Sequence, residues 1–140
     1  MTAAPQPARR WPPLAGLLAV AAGGALGGSL RYALLEAFPV DPTGFPWLIF
    51  LHNTVGAGLL GLVLTVLPER GSAATRLRPF LTTGVLGAFT TFSNFSLDGV
   101  GLAGQGHAAL AVLYGVASIG IGLAACHGGI VLGRRLAGRP

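Results

Sequence analysis

The chain has 140 residues, of which 52% are hydrophobic and only 9% charged, with a mean hydropathy of +0.69. So few charges exclude the surface of a soluble domain, which carries about 25%, and so much apolar content excludes intrinsic disorder. The net charge of +5 comes from nine arginines and no lysine, set at the edges of apolar runs, which is the pattern of a membrane protein and not of a nucleic-acid binder.

A bilayer core about 30 Å thick takes roughly 20 helical residues per crossing, so the chain has room for about four spans and no extramembrane domain. The first apolar run, 14–37, follows Arg9, Arg10 and the breaker Pro12-Pro13. Its start imitates a secretory signal, with Ala19-Val20-Ala21 as a cleavage site. The apolar stretch continues past that point, which favours a spanning helix. Pro39, Pro42 and Gly44 mark a loop over 38–45. The second run, 46–67, stops at Pro68, and the loop to Pro79 carries Glu69, Arg70, Arg76 and Arg78. The fourth run, 108–132, is followed by Gly133 and a tail with Arg134, Arg135 and Arg139.

The third segment, 80–102, is less regular. An apolar stretch meets Thr90-Thr91-Phe92-Ser93-Asn94-Phe95-Ser96-Leu97-Asp98. Charge placement decides whether it crosses. A crossing puts the arginine clusters before run one, between runs two and three, and after run four on a single side. The positive-inside rule therefore favours the crossing, with eight of nine arginines and both termini in the cytoplasm. The result is a single all-α membrane domain with four transmembrane helices over 1–140. Once the arginines are assigned to the lipid surface, no patch for nucleic acid remains. The 23 glycines suit close helix packing in lipid, notably Gly23/Gly27 and Gly24/Gly28 in run one, with Gly56, Gly58, Gly84 and Gly87 in similar roles.

No catalytic arrangement is visible, so the chain reads as a non-enzyme. His52, His107 and His127 lack cysteine or carboxylate neighbours at metal-ligand spacing and read as helix-end or packing residues. Cys126 is alone and reads as a small apolar residue. Nucleotide-binding and hydrolase motifs are absent. What remains is a set of polar side chains at membrane depth, where such groups face protein or a water-filled path. The Asn53 amide suits either an anion or the backbone of a neighbouring helix. Tyr114 and Ser118 are four apart and share a helix face, although back-bonding to its own helix is the default for the serine. The 90–95 stretch predicts a broken helix, with Gly84 and Gly87 making unusual dihedrals cheap. Unwound backbone at that depth can hold an ion through carbonyls. Phe92 and Phe95 are three apart; their positive ring edges suit an anion, and ordinary packing is the competing reading.

These residues resemble the motifs of the Fluc/CrcB fluoride channels. Gly23-Gly24-Ala25-Leu26-Gly27-Gly28-Ser29-Leu30-Arg31-Tyr32 is similar to GGxxGAxxRY, and Asn53-Thr54-Val55-Gly56 to VNxxG. The stretch 84–95 is similar to GxxGGxTTFSTF, and Tyr114, Ser118, Gly122 and Leu123 follow at the expected spacing. The resemblance implies a passive fluoride-exporting channel in the bacterial plasma membrane, built as an antiparallel dimer with pores along the subunit interface. It implies that Asn53, Phe92 and Phe95 line a pore, with Tyr114 and Ser118 on a polar track and Arg31 near the vestibule. It also implies a structural Na+ at the dimer centre, held by the backbone carbonyls of Gly87 and Thr90. Oriented neutral donors can replace the tightly held water of fluoride without trapping it, and passive conduction needs no nucleotide site.

Four positions depart from the family pattern: Ala88 at the second glycine of the break, Asn94 at a threonine, His52 before Asn53, and Gly122 without a hydroxyl beyond Ser118. The strong arginine bias fixes one orientation in the membrane, so an antiparallel partner is expected to be a non-identical homologous subunit. A non-conducting partner subunit is one alternative. A small multidrug exporter is another, but Glu36 and Asp98 sit poorly for its membrane carboxylate.

Overall fold

The computed structural model describes residues 14–38, 41, 43–67 and 76–138. The expectations placed on Arg9, Arg10, Glu69, Arg70 and Arg139 lie outside these. Helix α1 is Leu14–Ala37 and α2 is Trp47–Val66. The third rod has two halves. Its first half, α3, joins Leu77–Pro79, a π-helical stretch Phe80–Leu86, and Gly87–Phe89. Its second half, α4, is Phe92–Gly104. Helix α5, Ala108–Leu136, closes the described chain. The described residues contain no strand. The all-α reading with a broken third helix agrees with this architecture. The first span has the bounds read from sequence and the second is one residue shorter at each end, whereas the third rod and α5 run on past the apolar stretch to take in Arg78 and Arg134-Arg135.

Among the described residues, three unbroken helices are long and apolar enough to cross a membrane: α1, α2 and α5. Helix α5, at 29 residues, is about 43 Å long and overshoots the hydrocarbon core by about two turns.

Pairings between helices fix the direction of each. Gly61 abuts the Cys126 carbonyl, and Gly133, one to two turns further along α5, abuts Thr65, so α2 and α5 run parallel. Two parallel helices separated by one rod require that rod to return across the bundle. Asn53 meets Thr91, and Arg78 reaches the Leu64 carbonyl, so the rod is antiparallel to α2. Helix α1 packs mainly on the π-helical stretch of α3. The chain therefore goes up, down, up and down, and Arg78 lies at the same end of the bundle as Arg134 and Arg135.

Two seams need glycine. A β-carbon on Gly27 would collide with the Val85 carbonyl, and one on Gly129 with the Gly58 carbonyl. Such backbone proximity drives helix association in lipid, where burial of apolar side chains gains little. Among the described residues nothing lies within 4 Å of a β-carbon placed on Gly24 or Gly28, so there it is the Gly23/Gly27 pair of run one that serves this packing. The expectation that Gly84 and Gly87 supply unusual dihedrals is corrected. Gly84 lies in the π-helical stretch pressed on Gly23, Gly87 is right-handed helical at φ −66°, and positive φ occurs only at Gly106 and Gly138 among the described residues.

The interior is small. Ile49, Phe50, Leu86, Leu102 and Tyr114 form its apolar part, while large apolar side chains such as Leu97, Val100, Val112 and Val116 point outward. Before α2, Asp41 Oδ1 accepts the Thr43 N–H at 2.9 Å and its hydroxyl at 2.8 Å, a local turn that holds the Asp41 carboxyl below the usual carboxylate range.

Candidate functional site

The site is built on the interruption at Thr90 and Thr91. Both residues are extended, with ψ of 154° and 122°. An α-helix would send the Thr91 N–H to the Gly87 carbonyl and the Asn94 N–H to the Thr90 carbonyl. Neither bond is made in that form. The Thr91 N–H donates to Asn53 Oδ1 at 2.8 Å, and the Asn53 amide donates back to the Thr91 carbonyl at 3.0 Å. The Asn94 N–H donates to Thr91 Oγ1 at 3.2 Å, which caps the new helix α4. Asn53 from α2 and the Thr91 hydroxyl thus take over backbone groups that lipid could not satisfy. The consequence is that the Gly87 and Thr90 carbonyls lose their usual helical donors.

Other hydroxyls of the segment bond locally. Thr90 Oγ1 donates to the Leu86 carbonyl at 2.9 Å, and Ser96 Oγ to the Phe92 carbonyl at 2.9 Å. Thr91 Oγ1 also lies 3.1 Å from Ser93 Oγ. Gly56 lets Thr90 approach, because a β-carbon there would strike the Thr90 methyl.

Beside the gap lies a cavity of about 410 Å³. Asn53, Gly87, Thr90, Phe92, Phe95 and Ser118 all line it, and none of its lining residues carries a charge. The first turn of α4, where a helix presents its partial positive charge, begins at this cavity. Phe92 is 79% exposed on the surface of the subunit, and its ring centroid is 5.7 Å from that of Phe95. Ser118 does not take the back-bonded form. Its Oγ is buried and has no hydrogen-bond partner among the described residues.

Two residues named from sequence stand outside this lining. Tyr114 is fully buried; its ring packs on Phe95 at 5.1 Å and its hydroxyl donates to Asp98 at 3.4 Å. Arg31 lies half-buried on α1. Sequence reasoning did not foresee Thr91 as the clamped residue, nor Asp98 as the acceptor for Tyr114. The signal for Asp98 was available, since Phe92, Phe95 and Asp98 recur every three residues along one face of α4. His52 is a packing residue, 4% exposed, with its Nδ1–H donated to the Leu48 carbonyl at 2.7 Å and its ring 4.9 Å from Phe89.

Comparison with known proteins places this geometry. The family described as CrcB-like protein, Camphor Resistance (CrcB), matches residues 18–130. A fluoride-specific ion channel FluC of Deinococcus radiodurans is 51% identical over 121 residues, covering 84% of this chain and 94% of that protein. FluC of Agrobacterium fabrum is 42% identical over 118 residues, covering 84% and 94%. FluC 1 of Mycobacterium tuberculosis is 44% identical over 120 residues, covering 86% and 91%. With the match running through all four rods and both sides of the clamped gap, this multi-pass membrane chain belongs to the CrcB family.

Proposed function

We propose that the chain is a subunit of a fluoride-selective passive channel that lets cytoplasmic fluoride leave a bacterial cell. The observation that carries the reading is the uncharged, donor-lined cavity at the clamped gap. Fluoride is small and strongly hydrated, so a path for it must offer donors in place of water. One hydrogen of the Asn53 amide is committed to Thr91, which fixes the plane of the group and aims the second. Ser118 brings a hydroxyl with no competing partner among the described residues, and Phe92 and Phe95 bring ring edges. The start of α4 adds partial positive charge without a side-chain cation. A neutral set of this kind binds an anion weakly enough to release it. The fluoride-specific names of the relatives support the same reading.

The Gly87 and Thr90 carbonyls fit the proposed structural Na+. They are hard, neutral oxygen donors whose helical partners are engaged elsewhere, and Gly87 is exposed at the subunit surface. Two carbonyls are too few for a cation cage, so an antiparallel partner bringing an equivalent pair is part of the proposal. Bound Na+ would supply a positive centre that ties the subunits together. The partner is proposed to be a non-identical homologue. Arg78, Arg134 and Arg135 share one end of the bundle, and cytoplasmic placement of that end fixes this chain in one orientation.

The test is fluoride release from liposomes, followed with a fluoride electrode and with chloride as control. The chain is assayed alone and with an oppositely oriented homologue. Fluoride release without chloride release is the expected result in the paired sample. Release by the chain alone would overturn the obligate pairing, and silence in both samples with a folded dimer would overturn the channel.

A further inference from the structure

The aromatic side chains form a continuous path from the loop before α2 to the cavity. Phe45 stands at the loop end, held close to α2 because its carbonyl accepts the Trp47 N–H at 2.7 Å. Its ring contacts three others: Trp47 at 4.6 Å, Phe50 at 5.3 Å and Tyr114 at 5.4 Å, the last at 90°. Tyr114 in turn packs on Phe95, and Phe95 on Phe92. Phe45 and Tyr114 are outside the lining of the cavity, whereas Phe95 and Phe92 belong to it.

Tyr114 is therefore gripped from two sides. Asp98 and Phe95 hold it from α4, and Phe45 holds it from the loop. Between them it is completely buried. A tyrosine released on the loop side would have space to tilt, and Phe95 would lose the surface it leans on. Packed interiors transmit such displacements because they contain little free volume.

We propose that Phe45 is a positioning residue of the permeation path, seating Tyr114 and, through it, the Phe95 ring at the cavity. The proposal rests on the channel reading of that cavity. It assigns a part in conduction to a loop residue that never meets the ion.

Two readouts test it in the full chain, reconstituted with its partner. The first is fluoride flux. Phe45→Ala is expected to lower flux about tenfold, the scale set by one lost aromatic pair, and Phe45→Tyr to restore it. In a Tyr114→Leu background the same Phe45→Ala change is expected to alter flux less than about twofold, because the intermediary is gone. The second readout does not depend on flux. In a Cys126→Ala background, a Tyr114→Cys thiol is expected to resist a charged, membrane-impermeant thiol reagent added from the loop side. Adding Phe45→Ala is expected to raise its modification rate about tenfold, in line with loss of one packed ring. Phe45→Leu, which keeps the bulk, serves if the alanine variant does not fold; it is expected to keep the thiol protected while still lowering flux. Equal flux losses with and without Tyr114, a thiol rate unchanged by Phe45→Ala, or a Phe45→Leu flux equal to that of the parent would overturn the positioning role. Absence of fluoride flux in the unaltered protein, with the thiol still protected by Phe45, would instead locate the failure in the channel reading.

Discussion

Asn53 and Ser118 make opposite predictions although both line the same cavity. Asn53 satisfies a buried N–H and a buried C=O of Thr91 at once. Asn53→Ala is expected to destabilise the subunit by about 1–3 kcal/mol for each group left unmatched, and to abolish flux. Thermal unfolding in detergent, beside the liposome assay, measures the two effects. Ser118→Ala removes a hydroxyl that has no partner among the described residues. Its unfolding temperature is expected to stay the same or rise while fluoride flux falls. A loss of stability there would mean that the hydroxyl is structural. Phe92→Leu leaves apolar bulk on an exposed position and is expected to keep the fold while reducing flux by about tenfold, from loss of the ring edge. That Asn53, Phe92, Phe95 and Ser118 meet at one cavity was anticipated for the polar pair because polar groups at membrane depth are costly, and for the two phenylalanines from the family resemblance. The use of Asn53 was not. An amide that orders a backbone and an amide that faces an ion look the same in one dimension, and here one hydrogen of the amide does the first task while leaving the other available.

At the scale of the element, the break was legible and the winding before it was not. Thr90 to Asn94 announce an interruption because hydroxyls near a freed backbone are the means of satisfying it. The π-helical stretch Phe80–Leu86, which packs against α1, has no such marker in the sequence. The two glycine pairs of α1 were equally ambiguous, because they share one spacing and differ by a single residue in phase. Contact resolves them. Gly27→Leu is expected to block folding, since the Val85 backbone has no room to retreat, and overpacking costs about 1–3 kcal/mol even where neighbours can adjust. Gly28→Ala, on the open face, is expected to leave the monodisperse yield within about twofold of the parent, as for a surface change. Size-exclusion profiles of the two variants, side by side, check the assignment.

For the whole molecule, four rods and their directions followed from composition and from the arginines, because in a membrane those two features dominate the energetics. The end of the bundle that carries Arg78, Arg134 and Arg135 is expected to face the cytoplasm in nearly every copy. Cysteine tags placed on each terminus, read by an impermeant reagent, measure this; comparable labelling from both sides would favour a dual-topology homodimer. The parallel pairings of α1 with α3 and of α2 with α5 carry a further consequence for biogenesis. Helices joined by the shortest loops are not the ones with the tightest seams, so each seam waits for a helix synthesised two crossings later. Helix α2 must remain in lipid with Gly58 and Gly61 uncovered until α5 has left the insertion machinery. A ribosome stalled near residue 107 would therefore leave a half-built subunit with an open groove, the stage at which a membrane quality-control protease or a wrong partner would find it.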